Sequence, residues 1–250
     1  MIIDAHVHLG PMPLFRVEGR VEDLLRAADR SGIEKLFCTH ATALFYDFRE
    51  GNERLYRIMR QYPDRILGYC TISSSRYGTR AVEEVERCAQ DYGMRGLKIY
   101  SFSIPGTREP FLSVDDEWMY PVIEKAAEYG MVILAHSNAE EIAHLASLFP
   151  HAILVMAHMG NTAHARGDWH RAIAVARRFP NIYLDTSTSS TDFDCVETAV
   201  ALLGAERLLF GSDWPLFHHE FALARIRETS LSPEEQALIL GGNLRRLLGL

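Results

Sequence analysis

Eight strand-length apolar runs, each followed by a helix-like stretch, constrain the fold of this chain more than any other feature. The runs are MIIDAHV, IEKLFCTH, RILGYCTI, RGLKIY, MVILAHS, AILVMAH, NIYLDTS and RLLFGSDWP. Between them lie stretches such as VEDLLRAADRSG, AVEEVERCAQDYG, MYPVIEKAAEYG and WHRAIAVARRFP. In the first of these, Val21, Leu24, Leu25 and Ala28 recur at helical spacing and Gly32 ends the pattern. Near-continuous apolar strands need cover on both faces, as a parallel sheet between layers has, and eight such units suffice to close a barrel. An open doubly wound sheet usually has fewer strands and an early phosphate-binding glycine loop, and neither GxGxxG nor a Walker-type loop is present. The expectation is a single, slightly distorted (β/α)8 TIM barrel over residues 1–250, one domain with no room for a second. Its last helix is expected to start at Ser232 as N-cap, with Pro233 at N1 and Glu235 closing a capping box, and to run almost to Leu250.

A chain of 250 residues that is 48% hydrophobic can bury a large core. A formal net charge of −7 argues against nucleic acid or an anionic membrane as partner and leaves a small-molecule substrate as the expectation. The four cysteines are scattered without CxxC spacing and read as reduced core residues. No signal-like segment opens the chain and no apolar stretch approaches a membrane span, so a cytoplasmic protein is expected. Nothing in the sequence reports oligomeric state, and a homodimer stays open.

Polar residues cluster where the apolar runs end. His6 and His8 end the first, Lys98 the fourth, His136 the fifth, His158 the sixth and Asp213 the eighth. Catalysis in such barrels sits on that face. Side chains two apart on a strand point the same way, so His6 and His8 converge while Ala5 and Val7 face the other side. By the same parity, His136 follows Val132 and Leu134 into the barrel, and His158 follows Leu154 and Met156. Asp4 shares the face of His6 one layer deeper, as support. A single histidine at a strand end is usually a hydrogen-bonded packing residue. Six ionisable groups closing one ring carry a large desolvation cost that a divalent cation offsets. The donor set favours Zn2+, with Mn2+, Fe2+ or Co2+ as alternatives.

On DAHVH (4 to 8), GLKIY (96 to 100), ILAHS (133 to 137), MAHMG (156 to 160), GSDWP (211 to 215) and the terminal GGNLRRLLGL, the chain resembles the amidohydrolase superfamily over its whole length. It is most similar to the branch of small lactone hydrolases and nonoxidative decarboxylases. The resemblance implies that His6, His8, His136 and Asp213 hold metal, and that His158 is either a ligand to a second ion or an acid/base. It implies that Lys98 either bridges two ions as a carboxylated lysine or binds a substrate carboxylate, so one or two ions are expected. A lysine facing a dry, cationic mouth has its ammonium form disfavoured, which carboxylation requires.

The first functional expectation is hydrolysis of a lactone, cyclic ester or amide, with Asp213 as general base toward a metal-bound water and His158 steadying the carbonyl. The alternative is decarboxylation of a small aromatic or unsaturated acid, with Asp213 or His158 protonating carbon. From another class, a non-catalytic ligand-binding barrel stands third. Tyr100, Arg166 and Trp214 are the expected substrate contacts, with Arg108 as a further loop arginine. His40 is read as a packing residue, and His218 and His219 as surface residues.

Overall fold

The computed structural model describes residues 1–72, 78–101, 113–160, 168–187 and 194–250. Nine strands form one curled sheet in sequential order apart from an initial exchange: β2 (Val17–Gly19), β1 (Ile3–Met12), β3 (Lys35–His40), β4 (Ile66–Thr71), β5 (Gly96–Tyr100), β6 (Val132–His136), β7 (Ile153–Met156), β8 (Ile182–Asp185) and β9 (Leu208–Leu209). Among the described residues all strand pairings are parallel except β1 with β2, a hairpin the sequence does not advertise. Without β2 the strands match the eight apolar runs, and the fourth run is β5.

Backbone bonds link the last strand region to the first: Ala5 N donates to Phe210 O at 2.8 Å, His8 N to Trp214 O at 2.7 Å and Asp213 N to His6 O at 2.8 Å. The barrel is therefore laced shut through the same residues that its mouth uses. The fold is mixed α/β with the TIM-barrel arrangement expected from the alternation.

Two apolar clusters divide the sheet by strand parity. One holds Ile3, Ala5, Phe37, Tyr69, Val132, Leu134, Val155 and Leu209 and is closed below by Leu244 and Leu248, so it fills the lumen. The other joins the alternate positions, among them Leu36, Leu97, Ile133, Leu154, Met156 and Leu184, to the helices. In the lumen Phe37 and Tyr69 stack with ring centroids 3.6 Å apart, and Tyr69 donates to Ala5 O at 2.9 Å.

The first helix, Val21–Ser31, ends at Gly32 in the left-handed region (φ 72°), as the pattern predicts. The capping box of Ser232 and Glu235 is also present. The last helix, expected to be continuous, is broken: Pro233–Ala237 is followed by a wide turn at Leu238–Gly242 and then by Asn243–Leu248. A side chain at Gly241 would meet Met1 O at 2.5 Å, so the break lets the chain pass close to the start of β1. Asn243 is fully buried and donates to Ala205 O (2.7 Å) and Leu208 O (2.8 Å), which anchors the base of β9. Among the described residues no helix is long and apolar enough to cross a membrane.

Candidate metal centre

A bulge in the first strand delivers the two histidines. The pairing of β1 with β3 shifts register between Asp4 and Val7. Ile3 and Ala5 lie in the lumenal cluster, whereas Val7 and Leu9 lie against the helices. The even positions His6 and His8 thus turn into the mouth, although simple alternation from Ala5 would aim them outward. This corrects two expectations: Ala5 does not share a side with Val7, and Asp4 does not share one with His6. Asp4 faces His219, with Oδ2 3.5 Å from His219 Nε2. Its supporting place stands, since Oδ1 accepts from His6 N (3.1 Å) and Ser212 N (2.9 Å) and so ties the first strand to the last. Burial raises its pKa to about 7.

His6, His8 and Asp213 converge. His8 Nε2 is 3.2 Å from His6 Nε2 and 3.0 Å from Asp213 Oδ1, and His6 Nε2 is 3.7 Å from that oxygen. Two ligands about 2.1 Å from one ion, at angles near octahedral or tetrahedral, stand about 3.0–3.4 Å apart. The 3.0 and 3.2 Å spacings meet that range and the 3.7 Å one exceeds it slightly, so the trio suits a shared divalent cation with one opened angle. All three residues are buried. Burial lowers the pKa of His6, and the nearby Lys98 adds to the shift, so its imidazole is neutral and ligand-ready. Burial pushes the Asp213 carboxyl upward, but the hydrogen bond from His8 and the surrounding imidazoles outweigh it and hold the group below the usual carboxylate range. Asp213 has a left-handed backbone (φ 60°), an uncommon state for a residue with a side chain, held by its N–H bond to His6 O.

Lys98 is fully buried at the end of β5, with Nζ 2.9 Å from His6 Nε2 and 4.9 Å from the centre of the Tyr100 ring. Burial lowers its pKa to about 7 against the pull of Asp185 and Asp213. Tyr100, an expected substrate contact, does reach the mouth, where its ring stacks on that of His136 at 5.7 Å. His136 in turn packs edge-on against His158 at 5.2 Å. Among the described residues it belongs to neither of the two compact groups of potential ligand atoms.

His158 arrives by a different route from the one its parity suggests. Leu154 and Met156 face the helices, so strand alternation would carry His158 outward. Instead His158 and Met159 both take left-handed backbones (φ 58° and 53°) just past β7, and the turn brings the imidazole to within 4.8 Å of the His6 ring. Its Nδ1–H donates to Ser187 O at 2.8 Å, which leaves Nε2 as the ring's acceptor, and burial lowers its pKa.

Two partners of these histidines lie outside the expected ligand set. Thr39, at the end of β3, has Oγ1 2.8 Å from His8 Nδ1. Asp185, at the end of β8, has Oδ2 2.6 Å from His6 Nδ1 and is fully buried. The signal was available: Tyr183 and Asp185 alternate with Ile182 and Leu184, so Asp185 is a polar residue ending an apolar run on the lumenal parity. Asp185, His6 and His158 form a second compact group, yet 2.6 Å is too short for two ligands of one ion and is the length of a charge-assisted hydrogen bond.

Other expected residues are not brought to the trio. Trp214 is buried in the outer cluster, its ring beside Gly19 and stacked on His219 at 6.3 Å, because the backbone bond that closes the barrel turns it away from the lumen. Arg166 and Arg108 lie outside the described residues. His40 packs as expected: it accepts from Thr42 N at 3.3 Å, and a side chain at Gly10 (φ 84°) would strike its ring. His218 caps the helix His219–Arg227, and His219, read as a surface residue, is fully buried.

Known structures of the same overall shape span the chain from end to end. A 5-carboxyvanillate decarboxylase from Sphingomonas paucimobilis superposes with TM-score 0.78 at 17% identity, covering 100% of this chain and 99% of that one. A dihydroxybenzoic acid decarboxylase from a Polaromonas species, solved with manganese and the inhibitor 2-nitroresorcinol, gives 0.79 at 19% identity, covering 100% and 97%. A 4-oxalomesaconate hydratase from Rhodopseudomonas palustris gives 0.73 at 19% identity, covering 100% and 96%. Among curated proteins no sequence matches. The family model described as Amidohydrolase matches residues 3–250, and with the metal-ready mouth at the strand ends of a TIM barrel, this chain belongs to the amidohydrolase family.

Proposed function

We propose that the chain is a hydrolase that uses one divalent ion, held by His6, His8 and Asp213, to act on a small lactone, cyclic ester or amide. The observation that carries this reading is the buried trio at 3.0–3.7 Å, whose two histidines are each held at Nδ1. Zn2+ suits two imidazoles and a carboxylate, and Mn2+, Fe2+ or Co2+ suit the same donors. When bound, such an ion supplies a water acidic enough to ionise near neutral pH and a polarising contact for a substrate carbonyl.

The chain's own groups are poised as bases. Asp213 stays ionised and can receive a proton and return it to the leaving group. His158, neutral and with Nε2 as its acceptor, offers a second basic site, and His136 lines the rim beside it. Lys98 presents an amine that burial brings near neutrality, the form that binds carbon dioxide as a carbamate or contacts a substrate carboxylate. Tyr100 walls the mouth, and Arg166 is proposed as a further substrate contact.

A second reading, decarboxylation of a small aromatic acid, draws support from the named activities of the two decarboxylases of like fold. It needs an acid to protonate carbon, whereas Asp213 is held ionised and the one ring proton of neutral His158 is donated to Ser187 O.

The test is metal analysis of protein never exposed to chelator, followed by a panel of lactones, cyclic esters, amides and hydroxybenzoate-type acids assayed for proton release and carbon dioxide. About one ion per chain and proton release without carbon dioxide is the expected result. Carbon dioxide from any panel acid overturns hydrolysis in favour of the second reading. Metal-free protein that gains no stability from zinc or manganese overturns both.

A further inference from the structure

We propose that Asp185 is a positioning residue: it fixes His6 as the Nδ1–H tautomer, so that Nε2 carries the lone pair facing His8 and Asp213. The proposal rests on the metal-site reading for its consequence, but the tautomer itself can be measured without metal. Among the described residues, every hydrogen bond of the Asp185 carboxylate is with a donor. Oδ2 accepts from His6 Nδ1–H at 2.6 Å and from His158 N–H at 3.3 Å, and it also takes the Ser187 hydroxyl. Oδ1 accepts from Ser187 N–H at 2.9 Å. A buried group surrounded only by donors has to be an acceptor on both oxygens, which an ionised carboxylate is and an amide is not.

The rest of the local structure is built around that carboxylate. A side chain at Gly211 would come within 2.1 Å of Asp185 Oδ1 and 2.9 Å of His6 Cβ, so the glycine of GSDWP makes the space the carboxylate occupies. On the far side of the His6 ring, Lys98 Nζ stands 2.9 Å from Nε2, where it can donate to the lone pair that the Nδ1–H tautomer leaves there. The bond to His158 N–H also pins the left-handed turn at φ 58° that carries the second imidazole inward. One carboxylate from the seventh barrel strand thereby sets two imidazoles from the first and sixth. Partners of this kind typically contribute about 10- to 100-fold to metal affinity.

Asp185→Asn keeps the shape but sets an NH2 against N–H donors. In metal-free protein, long-range 1H–15N correlation spectra report which ring nitrogen of His6 carries the proton. Wild type is expected to show Nδ1–H and Asp185→Asn a shift to Nε2–H, with Zn2+ affinity, measured by competition with a chromophoric chelator, falling about 10- to 100-fold. Ser187→Ala removes a hydroxyl that donates to Asp185 Oδ2 and whose oxygen also lies 2.8 Å from His6 Nδ1, but it leaves the carboxylate in place, and should keep the tautomer and stay within about threefold in Zn2+ affinity. The proposal is overturned if wild-type His6 is protonated at Nε2, a measurement that needs no variant to fold. It is equally overturned if folded Asp185→Asn keeps Nδ1–H and wild-type affinity. Should wild type bind no Zn2+ while the tautomer shifts as expected, the metal reading fails and the positioning role of Asp185 stands.

Discussion

Asp213 and Asp185 approach the same imidazole from opposite sides, and their geometries differ in kind. Asp213 stands 3.7 Å from His6 Nε2 and 3.0 Å from His8 Nε2, a spacing that leaves room for a cation between them. Asp185 stands 2.6 Å from His6 Nδ1, which leaves room only for a proton. Their backbones differ too. Asp185 sits on a regular strand, whereas Asp213 takes a left-handed conformation just past β9. Similar burial and identical chemistry therefore do not make two carboxylates equivalent. A carboxylate that orients a ligand belongs on a rigid element, and one that meets the ion and reaction can occupy a strained turn whose cost the barrel-closing hydrogen bonds offset.

The largest way to break this contrast is to remove the carboxylate on the cation side. Asp213→Ala leaves His6 and His8 with no anionic partner, and activity should fall by about 10³-fold or more. Bound metal in protein purified without chelator should drop well below the wild-type ratio. Wild-type metal content together with wild-type kcat would place the ion elsewhere and remove the distinction between the two aspartates.

Lys98 tests the space between them, because it lies beside the His6 nitrogen that faces the trio. Its folded pKa of about 7 is below the ordinary 10.5 because burial penalises the ammonium form. Between those values the unfolded chain binds a proton that the fold does not, so this group makes stability rise with pH across that window. Below about pH 7 its penalty is constant and complete. In metal-free protein, Lys98→Met should therefore raise stability on the order of 3 kcal/mol at pH 6, with the gain shrinking toward pH 10.5. Activity should fall by about 100-fold in the same variant. Urea denaturation at pH 6 and pH 10 checks the sign, and a gain that grows with pH would show that Lys98 is not held near neutrality by burial.

Most of the barrel was legible because its eight apolar runs each carry their own period, and all eight became strands. The trio was legible because His6, His8 and Asp213 end such runs. What the sequence hid were departures from regular geometry. The bulge between Asp4 and Val7 reverses the parity of the first strand, so His6 and His8 meet in the mouth although the strand does not keep the alternation that predicts it. His158 reaches the mouth through two left-handed residues that no periodicity encodes. Asp185 needs no such departure: in NIYLDTS it ends the apolar run on the lumenal parity. Trp214, adjacent in sequence to a ligand candidate, lies in the outer apolar cluster, where its bridge to Val7 past the end of β9 places it.

The smallest expected effect compares the two imidazoles of the trio through their outer partners. His6 is oriented by a carboxylate at 2.6 Å, His8 by the neutral hydroxyl of Thr39 at 2.8 Å. Hydrogen bonds to an ionised acceptor are about twice as strong as neutral ones, so Thr39 should hold its ring more weakly than Asp185 does. Thr39→Val keeps the shape of the side chain and removes only the hydroxyl. Zn2+ affinity should fall by about 3- to 10-fold, less than in Asp185→Asn, with the barrel fold unchanged by circular dichroism. If Thr39→Val costs as much as Asp185→Asn, the charge on Asp185 contributes nothing beyond a hydrogen bond. The two outer partners would then differ in position along the ring of strands and in nothing else.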